Sequence, residues 1–122
     1  MNSDIIDPQK LIEKIYNAIG RLSEINEQYG YISSIVNENK MKYSIALGDE
    51  IRDLRDKKCP VGVMSELSKS ATAVVEARLK YDQSLSTLSQ VSNDLQNLRA
   101  EIEAYRSLLT WSRMEYQAGT LT

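Results

Sequence analysis

Three arginines, Arg99, Arg106 and Arg113, stand one heptad apart in the segment LRAEIEAYRSLLTWSRMEY. On a helix this spacing puts three guanidiniums in one row, about 10.5 Å apart along the axis. Such a row can follow the phosphates of a single nucleic-acid strand, and Tyr105 and Tyr116 beside it offer faces for stacked bases. The structural reading of the same row is the solvated flank of a coiled coil, with Arg99 neutralised by Glu103. Glu101, Glu103 and Glu115 share the segment and weigh toward that second reading.

The only tryptophan, Trp111, lies in the same stretch. At 100° per residue, Leu98, Ile102, Tyr105, Leu109 and Tyr116 cluster on one side, and Trp111 points about 140° away from their centre. Ala100, Ala104 and Ala118 share its side, with Leu108 between the two sets. Small residues let another helix approach closely, and tryptophan is enriched where proteins meet. Ala100, Ala104, Leu108 and Trp111 therefore make a candidate oligomer or partner interface. The competing expectations are that Trp111 packs on the chain's own first helix or on a third one, or that it stacks on a nucleobase.

Residue types suited to catalysis are scarce. The chain has no histidine, which removes the most common general base and metal ligand, and its one cysteine, Cys59, cannot build a zinc site. No phosphate-binding glycine loop or nucleophile elbow is present. Asp49, Glu50 and Asp53 cluster, but on a helix surface with basic neighbours the expected state is solvated carboxylates rather than a metal site. No enzyme activity, metal or cofactor is expected. The net charge is −2, and both halves of the chain are close to balanced. A duplex-DNA protein usually carries a basic excess, so any nucleic-acid role rests on the local arginine row. The single cysteine suits a reducing compartment, the first residues lack the pattern of a signal peptide, and no apolar run approaches a membrane span. The expected location is a cytoplasm, with no membrane partner.

The elements that must carry these residues are helices. Five glycines and two prolines are too few for a turn-rich β domain. Asp7 and Pro8 read as an N-cap and first helical residue. Ile12, Ile15, Ile19, Leu22, Ile25, Tyr29, Ile32 and Val36 follow at steps of three and four, as do Tyr43, Leu47, Ile51 and Leu54. Gly20, Gly30 and Gly48 interrupt the track, and a kink or break is expected near Gly30 if anywhere in it. The sequence RDKKCPVGVMS predicts a turn: lysines suit a helix C-terminus, Pro60 restricts Cys59, and Ser65 can cap the next helix. The basic tip at Lys57 and Lys58 reads as part of that turn, with contact to an acidic partner as the alternative.

From Val63 to Ala118 there is no glycine or proline. Leu67, Ala71, Val74, Arg78, Tyr81, Leu85 and Leu88 give a heptad-like track. It slips once through Val91 and continues as Leu95, Leu98, Ile102, Tyr105, Leu109, Ser112 and Tyr116. Arg78 is expected to snorkel from the seam or pair across it. The expected architecture is a single all-α domain, a long antiparallel helical hairpin of coiled-coil type. Its helix regions are 8–57 and 64–117, with a turn at 58–63. One hairpin buries little surface for its length. Either the first half folds back at Gly30 or several hairpins associate; the second is preferred, which makes a homo-oligomer the expected state.

The segments NENKMKYSIALGDEIRDLR, KKCP and LQNLRAEIEAYRSLLTWSR, in this order and length, resemble small bacteriophage-encoded helical proteins. In plan the chain is similar to the recombination mediator family of T4-like phages. That resemblance implies an oligomeric helical assembly that binds single-stranded DNA and loads a recombinase onto it. It carries no residue assignments. Two other functions fit the same architecture: a phage inhibitor that docks on a host protein such as a defence nuclease, and a virion assembly or scaffolding component.

Overall fold

The computed structural model describes residues 7–121, and for residues 116–118, 120 and 121 the backbone alone. The described chain is all helical: α1 spans Pro8–Asp56, α2 Val61–Ser70 and α3 Thr72–Leu121. It divides into two compact units, Met1–Gln28 with Val91–Thr122 and Tyr29–Gln90. In each unit α1 packs against α3.

Helix α1 begins as its residues dictate. The Asp7 carboxylate accepts a hydrogen bond from the backbone N–H of Gln9 at 3.1 Å, and the Asp7 carbonyl accepts from Leu11 N–H at 3.1 Å. One side-chain oxygen thus satisfies a donor that the first turn leaves free. The helix then runs without a break through Gly20, Gly30 and Gly48. Of the kink or break that the sequence allowed near Gly30, the break is absent. Nothing lies within 4 Å of where a Cβ would stand at any of the three. These glycines lower helix propensity by about 1 kcal/mol each without a turn or close approach that needs them.

The end of α1 is a hydrogen-bonded reversal. Lys58 N–H donates to Arg55 carbonyl (3.0 Å) and Cys59 N–H to Leu54 carbonyl (3.0 Å), with Lys58 at φ 58°. This double bond pattern is the Schellman motif, and the left-handed position that usually holds glycine holds lysine. Lys57 Nζ lies 3.0 Å from Asp53, whose hydrogen bond and charge raise the lysine's pKa.

Helix α2 opens directly after Pro60, not behind a Ser65 cap; Ser65 is inside the helix, where its carbonyl accepts from Ser68 Oγ at 2.8 Å. The expected single helix over 64–117 is instead two. Ala71 is extended (φ −62°, ψ 138°), ends α2, and supplies the carbonyl that Val75 N–H meets at 2.9 Å. No glycine or proline marks this break. Ser68 and Ser70 both bond back onto carbonyls of α2's last turns, an arrangement that competes with the helix ladder.

In the Tyr29–Gln90 unit, Tyr43 stacks on Tyr81 with centroids 6.3 Å apart, and Asn39 Nδ2 donates to Lys80 carbonyl at 3.3 Å. The inward residues of α3 here are Val74, Ala77, Tyr81, Ser84 and Leu88. This corrects the sequence track. Arg78 is exposed and pairs with Asp82 of its own helix at 3.8 Å, and Leu85 is 39% exposed. With Ala77 and Ser84 as seam residues, the three–four alternation continues unbroken into Val91, Leu95, Leu98 and Ile102, so no slip is needed. The Ser84 hydroxyl is satisfied by Tyr81 carbonyl at 2.8 Å, which lets a polar residue occupy a buried position.

In the other unit, α1 contributes Leu11, Ala18, Leu22 and Ile25, and α3 contributes Val91, Leu95, Leu98 and Ile102. Ala18 is fully buried against Leu98 and Ile102. Its small side chain lets the two helices approach at that level.

Candidate functional site

The unit that joins residues up to Gln28 with those from Val91 carries the arginine row, the two tyrosines beside it and the Trp111 stripe. Its two edges differ in chemistry. On one edge, Arg21 of α1 meets Glu101 of α3 at 3.2 Å, and Tyr105 Oη donates to Glu101 Oε1 at 2.7 Å. Lys14 Nζ lies 5.8 Å from the Tyr105 ring centroid, a cation–π distance. The Tyr105 hydrogen bond holds the Glu101 carboxyl below its usual pKa, with Arg21 adding to the effect; the same bond raises the phenol of Tyr105. Four polar side chains from two helices, 80 residues apart in sequence for Arg21 and Glu101, satisfy one another. These were not legible in the sequence. They fall on matching flanks only once the antiparallel register is known.

A groove of about 250 Å³ lies along this polar edge, lined by Arg21, Ile25, Asp94, Asn97, Leu98 and Glu101. Along the opposite edge no ion pair joins the two helices among the described residues. Ile19 and Leu22 of α1 and Arg99, Ile102, Glu103 and Arg106 of α3 line an open groove of about 250 Å³. Ile19 is 43% exposed, and Tyr16, on the same side of α1, is 71% exposed. Glu103 pairs with Arg106 at 3.0 Å, not with Arg99 as the four-residue spacing suggested. Arg99 and Arg113 are exposed and form no ion pair among the described residues. The three arginines thus share a row along α3, as their spacing requires, and only the middle one is neutralised.

Tyr105 does not offer a free stacking face beside this row. It is half-buried at the other edge, its hydroxyl is held by Glu101, and Lys14 covers its ring. The side chains of Tyr116 and Ala118 lie outside the described residues.

The stripe of Ala100, Ala104, Leu108 and Trp111 faces outward. Ala100 and Ala104 are exposed, Leu108 is 45% exposed and Trp111 66%. Met114, 62% exposed, extends the stripe by one turn; it lies outside the set of Ala100, Ala104, Leu108 and Trp111 expected from the sequence. Among the described residues Trp111 is thus mostly exposed and belongs to no buried cluster.

Among the acids at Asp49, Glu50 and Asp53, Asp49 pairs with Arg52 at 3.6 Å and Asp53 with Lys57. Among the described residues no group of His, Cys, Asp and Glu is arranged to hold a metal, and no helix is long and apolar enough to cross a membrane. No family model, no curated protein and no solved structure matches the chain.

Proposed function

We propose that the chain is a non-catalytic helical interaction protein that assembles with further copies of itself through the outward stripe of α3. The observation that carries this reading is Trp111, 66% exposed on a face it shares with Leu108, Met114 and two alanines. Covering an indole of that exposure removes on the order of 150 Å² of apolar surface, worth about 4 kcal/mol before the costs of association. The alanines allow a second helix to come close enough to do so. Light scattering coupled to size exclusion tests the reading. The wild-type chain is expected to exceed the monomer mass, and Trp111→Ala to lower it. A wild-type monomer at tens of micromolar, with the emission spectrum of a hydrated indole, contradicts it.

Within this reading, single-strand binding of the recombination-mediator kind is supported by Arg99 and Arg113, which stand in one row and form no ion pair among the described residues. Fluorescence anisotropy with a labelled oligothymidylate checks it: binding has to weaken steeply with salt and be lost in the Arg99→Ala, Arg113→Ala double variant. The covered ring of Tyr105 and the acids interleaved with the row count against it, and they favour a protein partner for the row.

A further inference from the structure

We propose that the copies pair two at a time, with their α3 helices antiparallel and the Trp111 indole of each lying over Ala100 of the other. This pairing rests on the self-assembly reading above and adds its direction and register.

Helix α3 meets α1 through a seam that includes Leu95, Leu98 and Ile102. Two residues on from each seam position between Leu95 and Ser112, on the opposite face of the helix, stand Asn97, Ala100, Ala104, Ser107, Trp111 and Met114, all exposed. These six repeat the three–four alternation of the seam, so α3 carries a second helix-packing track back to back with the first. None of them is charged. The outward face of α1 in the same unit is different. Two residues on from its own seam positions between Leu11 and Ile25 stand Glu13, Asn17, Gly20, Glu24 and Glu27, all exposed and three of them carboxylates. A helix face turned to water carries charge in this way. The charge-free face of α3 suits a copy of itself, because a two-fold contact sets a patch against the same patch and like charges brought together there would repel. An acidic or basic partner finds no counter-charge on it.

Side-chain size decides the direction. The track is small at one end, with Ala100 and Ala104, and large at the other, with Trp111 and Met114. In a parallel pair each residue meets its own copy. Two indoles then hold the helices apart at one end, while alanine on alanine needs them near the short limit of the usual separation of roughly 8–10 Å. The contact shrinks to the tryptophan end, where two indoles remove only about 300 Å² against the roughly 1,200 Å² at which stable interfaces begin. In an antiparallel pair turned about a point between Tyr105 and Arg106, large residues fall on smaller ones: Trp111 on Ala100 and Met114 on Asn97, with Ser107 on Ala104 at the centre. All six positions of both chains are then engaged, over about 27 Å of helix. The Asn97 amides lie at the two ends of the contact, within reach of water.

The test is disulfide cross-linking of the full chain with Cys59 replaced by serine, so that each variant carries one thiol. A disulfide needs Cα atoms within about 7 Å. Ala100→Cys alone is expected to form none, because its two copies stand about 16 Å apart along the axis. Asn97→Cys and Met114→Cys, mixed in reduced form and then oxidised, are expected to give a covalent dimer that neither gives alone. Ala104→Cys mixed with Ser107→Cys reports the same register at the centre, should the change at Met114 weaken assembly. Light scattering of the reduced wild-type chain is expected to give the mass of two chains. A covalent dimer from Ala100→Cys alone shows parallel helices and overturns the proposal while the self-assembly reading stands. A mass of three or more chains does the same, as does a dimer in which neither mixture cross-links. A wild-type monomer removes both the pairing and the self-assembly reading.

Discussion

Glu101 is the residue on which the polar edge turns. It accepts from Tyr105 and pairs with Arg21, and its carboxyl is held below its usual pKa. A carboxylate with a lowered folded-state pKa contributes stability above its unfolded pKa and loses it as pH falls through the folded value. The raised pKa of Tyr105 has the opposite sense: its contribution is complete below the ordinary phenol pKa and disappears as pH rises through the folded value. The edge therefore works between the ordinary carboxylate and phenol ranges. Glu101→Gln should flatten the acid limb of thermal stability against pH, while Arg21→Gln should leave part of it, because the Tyr105 bond remains. Wild-type and Glu101→Gln curves that run parallel through the acid limb speak against this role.

At the scale of the element, the informative positions are those where composition and burial disagree. The seam runs through Ser84 and not through its larger neighbour Leu85. Ser84→Asp, which buries a charge, should cost about 2–4 kcal/mol, whereas Leu85→Ser should cost less than about 1 kcal/mol. Chemical denaturation of the two variants decides the register, and a reversed order restores the track with a slip. Within α1, Gly30 is a helix-interior residue with open space around it. Gly30→Ala should stabilise by about 1 kcal/mol; a loss of stability in chemical denaturation would contradict the open surroundings of this position. Lys58 holds the left-handed position of the reversal, so Lys58→Gly should also stabilise, by up to about 1 kcal/mol.

For the whole molecule the balance of buried and exposed apolar side chains matters most. Among the described residues eight hydrophobic side chains are buried, and fifteen large ones are exposed. A core of this kind leaves a lone chain only marginally stable. If the chain associates through the Trp111 face as proposed, association stabilises it by mass action, and the melting temperature should rise with protein concentration and lose that dependence in Trp111→Ala. A melting temperature constant over a hundredfold dilution would be the contrary result. Ile102→Ala, at the small cluster with Ala18 and Leu98, should cost about 2–4 kcal/mol and lower that temperature at every concentration.

Periodicity, capping residues and the scarcity of glycine and proline determined the helices: the Asp7 start, the reversal after Lys57, and the outward direction of Trp111 all follow from them. These are properties of one helix at a time, carried by residues within a few turns of each other. The sequence also placed the arginines correctly in a row, because a row needs only the helical repeat. Tertiary structure alone decided the rest. It assigned Ala77 and Ser84 to the seam, because small side chains do not announce burial until a second helix is laid against them. It broke the second helix at Ala71, where serine hydroxyls compete with the backbone and no glycine or proline gives warning. It brought Arg21 to Glu101 and gave Glu103 to Arg106 rather than to Arg99. Those pairings depend on the register of two helices, and register is a property of the contact rather than of either strand of sequence.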